Sequence, residues 1–307
     1  MRNDLYYMSA DKTTKIHAVE WIPEGEVKAV LQISHGMVEH IKRYDRFAKY
    51  MNKFGFYVVG NDHLGHGESV ANEKLYGYFN HPNGNKCVIR DIHHLRILTE
   101  RKYPDVPYFI MGHSMGSFLI RQYIMLFGKN LSGAVIMGTG KKPNIALCFG
   151  KLICKIMAGV KGWDYHSKFI DNIAFSSNNK KFEPARTDKD WLTKDEIIVD
   201  AYIKDKWCSF IFTLNGFYNM FHSIQFVQKR KNINRIPKDL PLLLIAGGDD
   251  PVGDFGKGVR SVYKSYKIAG IRQVDIKIYK NDRHELLNET DYKDVYRYIK
   301  NWLMKLM

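Results

Sequence analysis

The feature that most constrains the fold is a rhythm that stops and restarts. Short apolar runs of strand type alternate with longer amphipathic runs of helical type up to about residue 140, and again after about residue 238. Such alternation points to a mostly parallel sheet covered by helices. The strand-type runs are "TKIHAVEWI" (Thr14 to Ile22), "AVLQISHG" (Ala29 to Gly36), "FYVVGND", "YFIMGH", "GAVIMGTG", "PLLLIAGGDD" and "VDIKIYKND". Between them, Phe47, Tyr50, Met51 and Phe54 recur three or four apart before Gly55, as on one face of a helix. Val88, Ile92, Leu95 and either Leu98 or Thr99 form a second such face, which Pro104 closes. Leu119, Tyr123, Leu126 and Phe127 form a third. From Lys141 to Lys238 there is no clear buried strand, only amphipathic pieces such as "ALCFGKLICKIMAGV", "KDEIIVDAYIKD" and "FTLNGFYNMFHSIQFVQK". The chain therefore reads as one α/β domain in two parts, residues 1–140 and 239–307, interrupted by a helical insertion over residues 141–238.

The chemistry concentrates at one turn. In "YFIMGHSMGSFLI" a strand-type run breaks at Ser114, between Gly112 and Gly116, and a helical run follows. This is the pattern of a sharp turn that lifts a serine as a nucleophile, although an ordinary strand-to-helix turn would also produce it. A nucleophilic serine needs a base, a group that orients the base, and donors for the oxyanion. His284 follows the last strand-type run, and Asp249 and Asp250 follow the one before it. Each thus falls where a parallel sheet gathers its functional loops. Taken singly, the acids could cap a helix and the histidine could sit on the surface. Together they follow the chain order serine, acid, histidine of nucleophile-elbow hydrolases. Donors for the oxyanion are available as the backbone N–H groups of Met37, after "ISHG", and of Met115, after the serine.

Composition narrows the partners. The formal charge is +15, but Lys and Arg are scattered, and the one dense run, "QKRKNINR" (Gln228 to Arg235), has no interleaved aromatic. Nucleic acid is therefore not expected, whereas attraction to an anionic membrane surface is. Cys87, Cys148, Cys154 and Cys208 contain no CxxC pair and read as free thiols of a reducing compartment. His93 and His94 are adjacent, and His63 and His66 lack a cysteine partner, so no metal site is expected. With no signal-like apolar segment near Met1 and no run of about 18 apolar residues, a cytoplasmic enzyme is expected.

The segments "SHGMVEHIKRYDRFA", "NDHLGHGES", "GHSMGS", "DDPVG" with "GKGV", and "NDRHELLNE" resemble the monoacylglycerol lipase and lysophospholipase group of α/β hydrolases, also described as serine aminopeptidase-like hydrolases. The resemblance covers nearly the whole chain and is strongest to bacterial members. It implies an α/β-hydrolase fold with the insertion as a cap over the active site. It further implies Ser114 as nucleophile, His284 as base, Asp250 rather than Asp249 as the triad acid, and Met37 and Met115 as oxyanion donors. Neither cofactor nor metal is implied. One departure is "NDHLGHGES", where the group usually carries Arg in place of His63 or Leu64.

The activity expected is hydrolysis of a small-molecule ester through an acyl-enzyme, with a single-chain lipid ester as substrate. Leu147, Phe149, Leu152, Ile153, Ile156 and Met157, with Phe210, Phe212, Phe217, Tyr218 and Phe221, exceed what one buried face requires. Of these, Ile153, Met157, Phe212 and Phe217 are the expected acyl-chain contacts. An aminopeptidase would share the triad and need cap acids for a substrate ammonium, for which Glu183, Asp188, Asp190, Asp195 and Glu196 are available. A non-catalytic binding protein of this fold would usually have lost a triad member.

Overall fold

The computed structural model describes residues 1–307. Its strands are β1 (Arg2–Met8), β2 (Lys15–Trp21), β3 (Ala29–Ser34), β4 (Phe56–Asn61), β5 (Tyr108–His113), β6 (Gly133–Met137), β7 (Leu242–Gly247) and β8 (Val274–Tyr279). They form one sheet in the order β1-β2-β4-β3-β5-β6-β7-β8. The first two strands run antiparallel to their neighbours, and β3 to β8 are parallel. The helices are α1 (Asp45–Asn52), α2 (Gly84–Lys102), α3 (Met115–Phe127), α4 (Asn144–Lys161), α5 (Lys168–Phe175), α6 (Glu196–Lys204), α7 (Leu214–Gln228), α8 (Arg230–Ile233), α9 (Lys257–Ile268) and α10 (Tyr292–Met304). None is long and apolar enough to cross a membrane.

Alternation along the central strands sends side chains to two apolar layers. In β5, Tyr108 and Ile110 join α2, α3, α7 and α9 on one face, while Phe109 and Met111 join α1 and α10 on the other. Burial on both faces is why these strands read as unbroken apolar runs. On α2 the buried position is Thr99, not the exposed Leu98, and Thr99 Oγ1 satisfies itself on the Leu95 carbonyl at 2.8 Å. Strand β1 has no such signature. It pairs only with β2 at the sheet edge and buries Tyr7 alone, so "RNDLYYM" gives no apolar period to detect. Its end is tied to α2 instead: Ser9 Oγ and the Ala10 N–H donate to Asp91 at 2.8 and 2.6 Å, and Tyr7 OH donates to the Asp91 carbonyl.

The chain between β6 and β7 carries α4 to α8 and contains no strand. Of its helices, α7 packs against α2 and α3 as well as α4, and buries Phe217, Ile224 and Val227 in the main apolar layer. The fully buried Arg121 of α3 holds the start of this segment, donating to Thr139 Oγ1 at 3.1 Å and to the Gly140 carbonyl at 2.9 Å.

Two glycines permit the turn from β5 to α3. A Cβ on Gly116 would collide with the carbonyl oxygens of Ser34 and His35, and one on Gly112 with the carbonyl of Gly116. Gly116→Ala is therefore expected to destabilise by about 1–3 kcal/mol. By contrast, Gly159→Ala on α4 meets nothing within 4 Å, and should be neutral or stabilise by up to about 1 kcal/mol. Denaturant midpoints of the two variants test the contrast. A second expectation concerns Asp91, whose pKa burial pushes up to about 7 against the opposing pull of its two donors. Because the folded state holds this proton more tightly than the unfolded chain, the contribution is full below the unfolded value of 3.8 and is lost as pH rises through about 7. The Asp91→Asn variant removes the charge, keeps the Ala10 N–H bond on its amide oxygen, and can turn the Ser9 contact round so that its amide N–H donates to Ser9 Oγ. It should melt above wild type at pH 8, and the gap should close toward pH 4.

Candidate active site

Ser114 sits on the turn with φ 52° and ψ −120°, in the left-handed half of backbone space where a non-glycine residue is strained. Its N–H donates to the Met137 carbonyl at 3.0 Å, and its carbonyl accepts Ser117 Oγ at 2.6 Å. Met115 is the first residue of α3, so its N–H is one of the unpaired donors at a helix start.

The loop after β3 reaches the same point from the neighbouring strand. A Cβ on Gly36 would lie 3.1 Å from the Cβ of Ser114. The His63 N–H donates to His35 Nε2 at 2.9 Å, which leaves His35 Nδ1 to donate to the Gly36 carbonyl at 2.7 Å. Since C=O and N–H point opposite ways across a trans peptide, fixing the Gly36 carbonyl also fixes the direction of the Met37 N–H. Neither the Met37 nor the Met115 N–H has an acceptor among the loop, turn and cap hydrogen bonds. His35, His63 and His66 pack as a buried trio. Burial lowers all three, His63 to about 3 and His66 to about 4, so they are neutral packing and orienting groups. His63 also bonds Ser34 Oγ at 3.0 Å, and both His63 and Leu64 are buried, so an arginine at either place would need a different local packing.

His284 and Asp250 come from the loops after β8 and β7. His284 Nδ1 and Asp250 Oδ1 are hydrogen bonded at 2.9 Å, and the same oxygen accepts the Val252 N–H at 2.8 Å. Both residues are buried. Burial favours the neutral acid at Asp250, but the charge and hydrogen bond of His284 and the Val252 N–H override it and lower its pKa. Asp249 is instead turned outward, bonded to Lys181. His284 Nε2 is buried without a protein partner, and His284 shares one cavity with Ser114.

A charged group unannounced by any motif lies beneath. Arg43 donates in bidentate fashion to Glu285 at 2.7 Å and also to Glu39 at 2.9 Å. His113 bonds Glu39 through Nδ1 and the His284 carbonyl through Nε2, both at 3.2 Å. With an acceptor on each side, both ring nitrogens donate, which makes it an imidazolium. Burial pulls the His113 pKa down, but the Glu39 hydrogen bond and charge raise it overall. Two carboxylates thus face a guanidinium and an imidazolium. Glu39 further accepts the Gly36 N–H and Tyr44 OH. Sequence reasoning missed this set, although each member lies within six residues of Met37, Ser114 or His284.

The cavity over Ser114 and His284 measures about 1060 Å³ and is walled by Met37, Phe118, Leu147, Phe149, Ile153 and Phe221 among others. Of the four expected acyl contacts, Ile153 is on this wall. Met157, Phe212 and Phe217 are not: Met157 packs sideways against the main layer, and the two phenylalanines are fully buried within it, held there by neighbouring aromatics. Phe210 and Ile211, beside Phe212, face the cavity instead. Of the acids expected to hold a substrate ammonium, Glu183 and Asp188 line it, whereas Asp190 binds backbone N–H groups of its own turn and Asp195 caps α6. The tertiary fold also brings together His40, Asp205 and Cys208, with donor atoms within 4.8 Å of one another, but His40 and Asp205 already bond each other at 2.8 Å.

This geometry has relatives. The family model described as serine aminopeptidase, S33, matches residues 25–291. Rat monoglyceride lipase is 35% identical over 96 residues, a match spanning 31% of this chain and only 30% of that protein. A monoglyceride lipase homolog of monkeypox virus is 27% identical over 296 residues, 94% of each chain. Among solved structures, a thermostable carboxyl esterase from Bacillus coagulans in complex with glycerol superposes with a TM-score of 0.92 at 27% identity, over 99% of this chain and 98% of that one. The strand order, the two-part sheet and the family match over most of the chain lead to one conclusion: this protein is an α/β hydrolase of the serine aminopeptidase S33 family, similar to the monoacylglycerol lipases.

Proposed function

We propose that the protein hydrolyses single-chain lipid esters, monoacylglycerols or lysophospholipids, through an acyl-enzyme on Ser114. The observation that carries this reading is the Asp250–His284 hydrogen bond, which leaves His284 Nε2 unpartnered in the cavity that Ser114 enters on a strained turn. Ser114 Oγ attacks the ester carbonyl as Nε2 takes its proton, and Asp250 stabilises the imidazolium formed. The N–H groups of Met37 and Met115 receive the oxyanion, each worth about a hundredfold to a thousandfold in rate. When the intermediate collapses, His284 returns the proton to the leaving alcohol, and water repeats the cycle on the acyl-enzyme. An apolar wall of Leu147, Ile153 and Phe221 suits an alkyl chain. Residues 141–238 act as the cap in this reading. A cytoplasmic setting belongs to it as well, in keeping with four unpaired thiols.

A second reading, an aminopeptidase, draws on Glu183 and Asp188 at the cavity wall, although Lys142 and Lys189 line it too. Substrate comparison separates the two. Wild type should release fatty acid from a monoacylglycerol or a lysophospholipid of the same chain, and Ser114→Ala should lose about a millionfold in turnover. Turnover of an amino-acid amide but of neither lipid would favour the aminopeptidase. Near-wild-type activity in Ser114→Ala would sink both.

The membrane partner has a specific face. On α4, Ile145, Phe149, Leu152, Ile156 and Val160 recur at helical spacing and are 85, 62, 52, 63 and 84% exposed. Phe169 and Ile173 extend the stripe on α5, with Lys155, Lys161 and Lys168 exposed alongside. An apolar stripe edged by lysine suits the interface of an anionic bilayer, and Phe149 and Ile173 also line the cavity, which places its mouth at this face. The Ile145→Ser/Val160→Ser double variant should lose co-sedimentation with anionic vesicles while hydrolysing a soluble short-chain ester at the wild-type rate.

A further inference from the structure

The loop that carries His284 is built onto the insertion rather than onto the sheet alone. The N–H groups of His284 and Glu285 donate to the carbonyls of Trp191 and Leu192, at 3.4 and 2.7 Å. Arg283 donates to the carbonyls of Asp190 and Thr193 at 2.5 and 3.2 Å and lies over the Phe182 ring. Thr193 Oγ1 donates to the Asn288 carbonyl at 3.0 Å, and the Trp191 ring centre is 5.1 Å from that of His284. The segment also reaches the loop of Asp250, through Lys181 on Asp249.

One ion pair joins these contacts at the foot of the loop. Lys194 Nζ is 2.6 Å from Asp282 and 3.8 Å from Glu289, and its backbone N–H donates to Glu289 at 3.2 Å. Asp282 and Glu289 are buried, at 2% and 0% exposure, and Lys194 is the one cation in ion-pair reach of either. Glu289 also accepts the Arg283 N–H at 2.7 Å, so it fixes the backbone immediately before His284. Burial already raises the pKa of both carboxyls, so without the ammonium they would take up protons or draw in water, and their hold on the loop would loosen.

We propose that Lys194 is a positioning residue for His284: its ammonium, set on Asp282 and Glu289, locks the segment Asp190–Lys194 to the loop carrying the base. The inference rests on the reading of His284 as that base. It also divides the insertion into a part fixed on the active site and a part, α4 and α5, free to face a membrane.

The test compares wild type, Lys194→Met, Lys194→Arg and Ser114→Ala on p-nitrophenyl butyrate, with melting temperature and the rate of Ser114 labelling by a fluorophosphonate. Lys194 is partly exposed and its methionine variant should fold. That variant should lower kcat and the labelling rate about tenfold to a hundredfold, as a misplacement of about 1 Å does, with KM nearly unchanged. The arginine variant should recover most of the loss. Wild-type kcat in Lys194→Met, a rise in KM alone, or equal loss in both lysine variants would overturn the inference. Full turnover by Ser114→Ala would instead overturn the triad on which it rests.

Discussion

Everything at the site depends on a charged set beneath it, three buried groups and the mostly buried Arg43. Glu39 and Glu285 are balanced by Arg43 and the protonated His113, and the set is drawn from three pieces of the site, Glu39 and Arg43 sharing one. Glu39 holds the Gly36 N–H of the proposed oxyanion loop. His113 ends β5 one residue before Ser114 and holds the carbonyl of His284, while Glu285 follows the histidine directly. Removing one partner from such a set leaves an unpaired buried charge, a loss of about 3–5 kcal/mol. The set is costly to desolvate, and in return it gives three separate loops a single mutual geometry.

That geometry explains how a strained serine turn persists. The backbone crowding around Gly112 and Gly116 comes from β3 passing against the first turn of α3, with Ser34 and Gly112 paired across the sheet. A residue in a sparsely populated conformation survives only where its surroundings over-determine it. Here the sheet register, the two glycines and the charged set below do so together. Above the serine, the insertion is uneven. Its Lys181–Lys194 stretch is bonded to the loops of Asp250 and His284, while α4 and α5 present apolar side chains outward. In the proposed reading, membrane contact and support of the base therefore fall to different parts of one segment.

Much of this was legible beforehand, for identifiable reasons. Six of eight strands, β2 to β7, are buried along most of their length and so write an apolar run into the chain; β8 buries only Val274 but alternates Val274, Ile276 and Ile278, and the break in alternation marks where β6 and β7 are separated. The edge strand β1 was invisible because its one buried side chain, Tyr7, makes no pattern. Phe212, just before α7, and Phe217, on it, read as pocket residues because an aromatic in an amphipathic stretch looks the same whether it faces a cavity or a core. The same ambiguity put Phe210 in the wider apolar set without singling it out and left Ile211 out, although both line the cavity.

What the sequence by itself determined is local: which segments alternate, where glycine permits a sharp turn, and the order of serine, acid and histidine along the chain. These follow from period, sterics and chain order, none of which requires knowledge of distant residues. Spacing left Asp249 and Asp250 equal and the family resemblance implied Asp250, whose hydrogen bond to His284 the structure shows; only the tertiary structure decided that Arg43 reaches Glu285 across 242 residues of sequence while holding Glu39, and that Lys194 sits under the histidine loop. Those outcomes depend on direction and burial, which arise when the parallel strands bring remote loops to one edge of the sheet and exclude water between them.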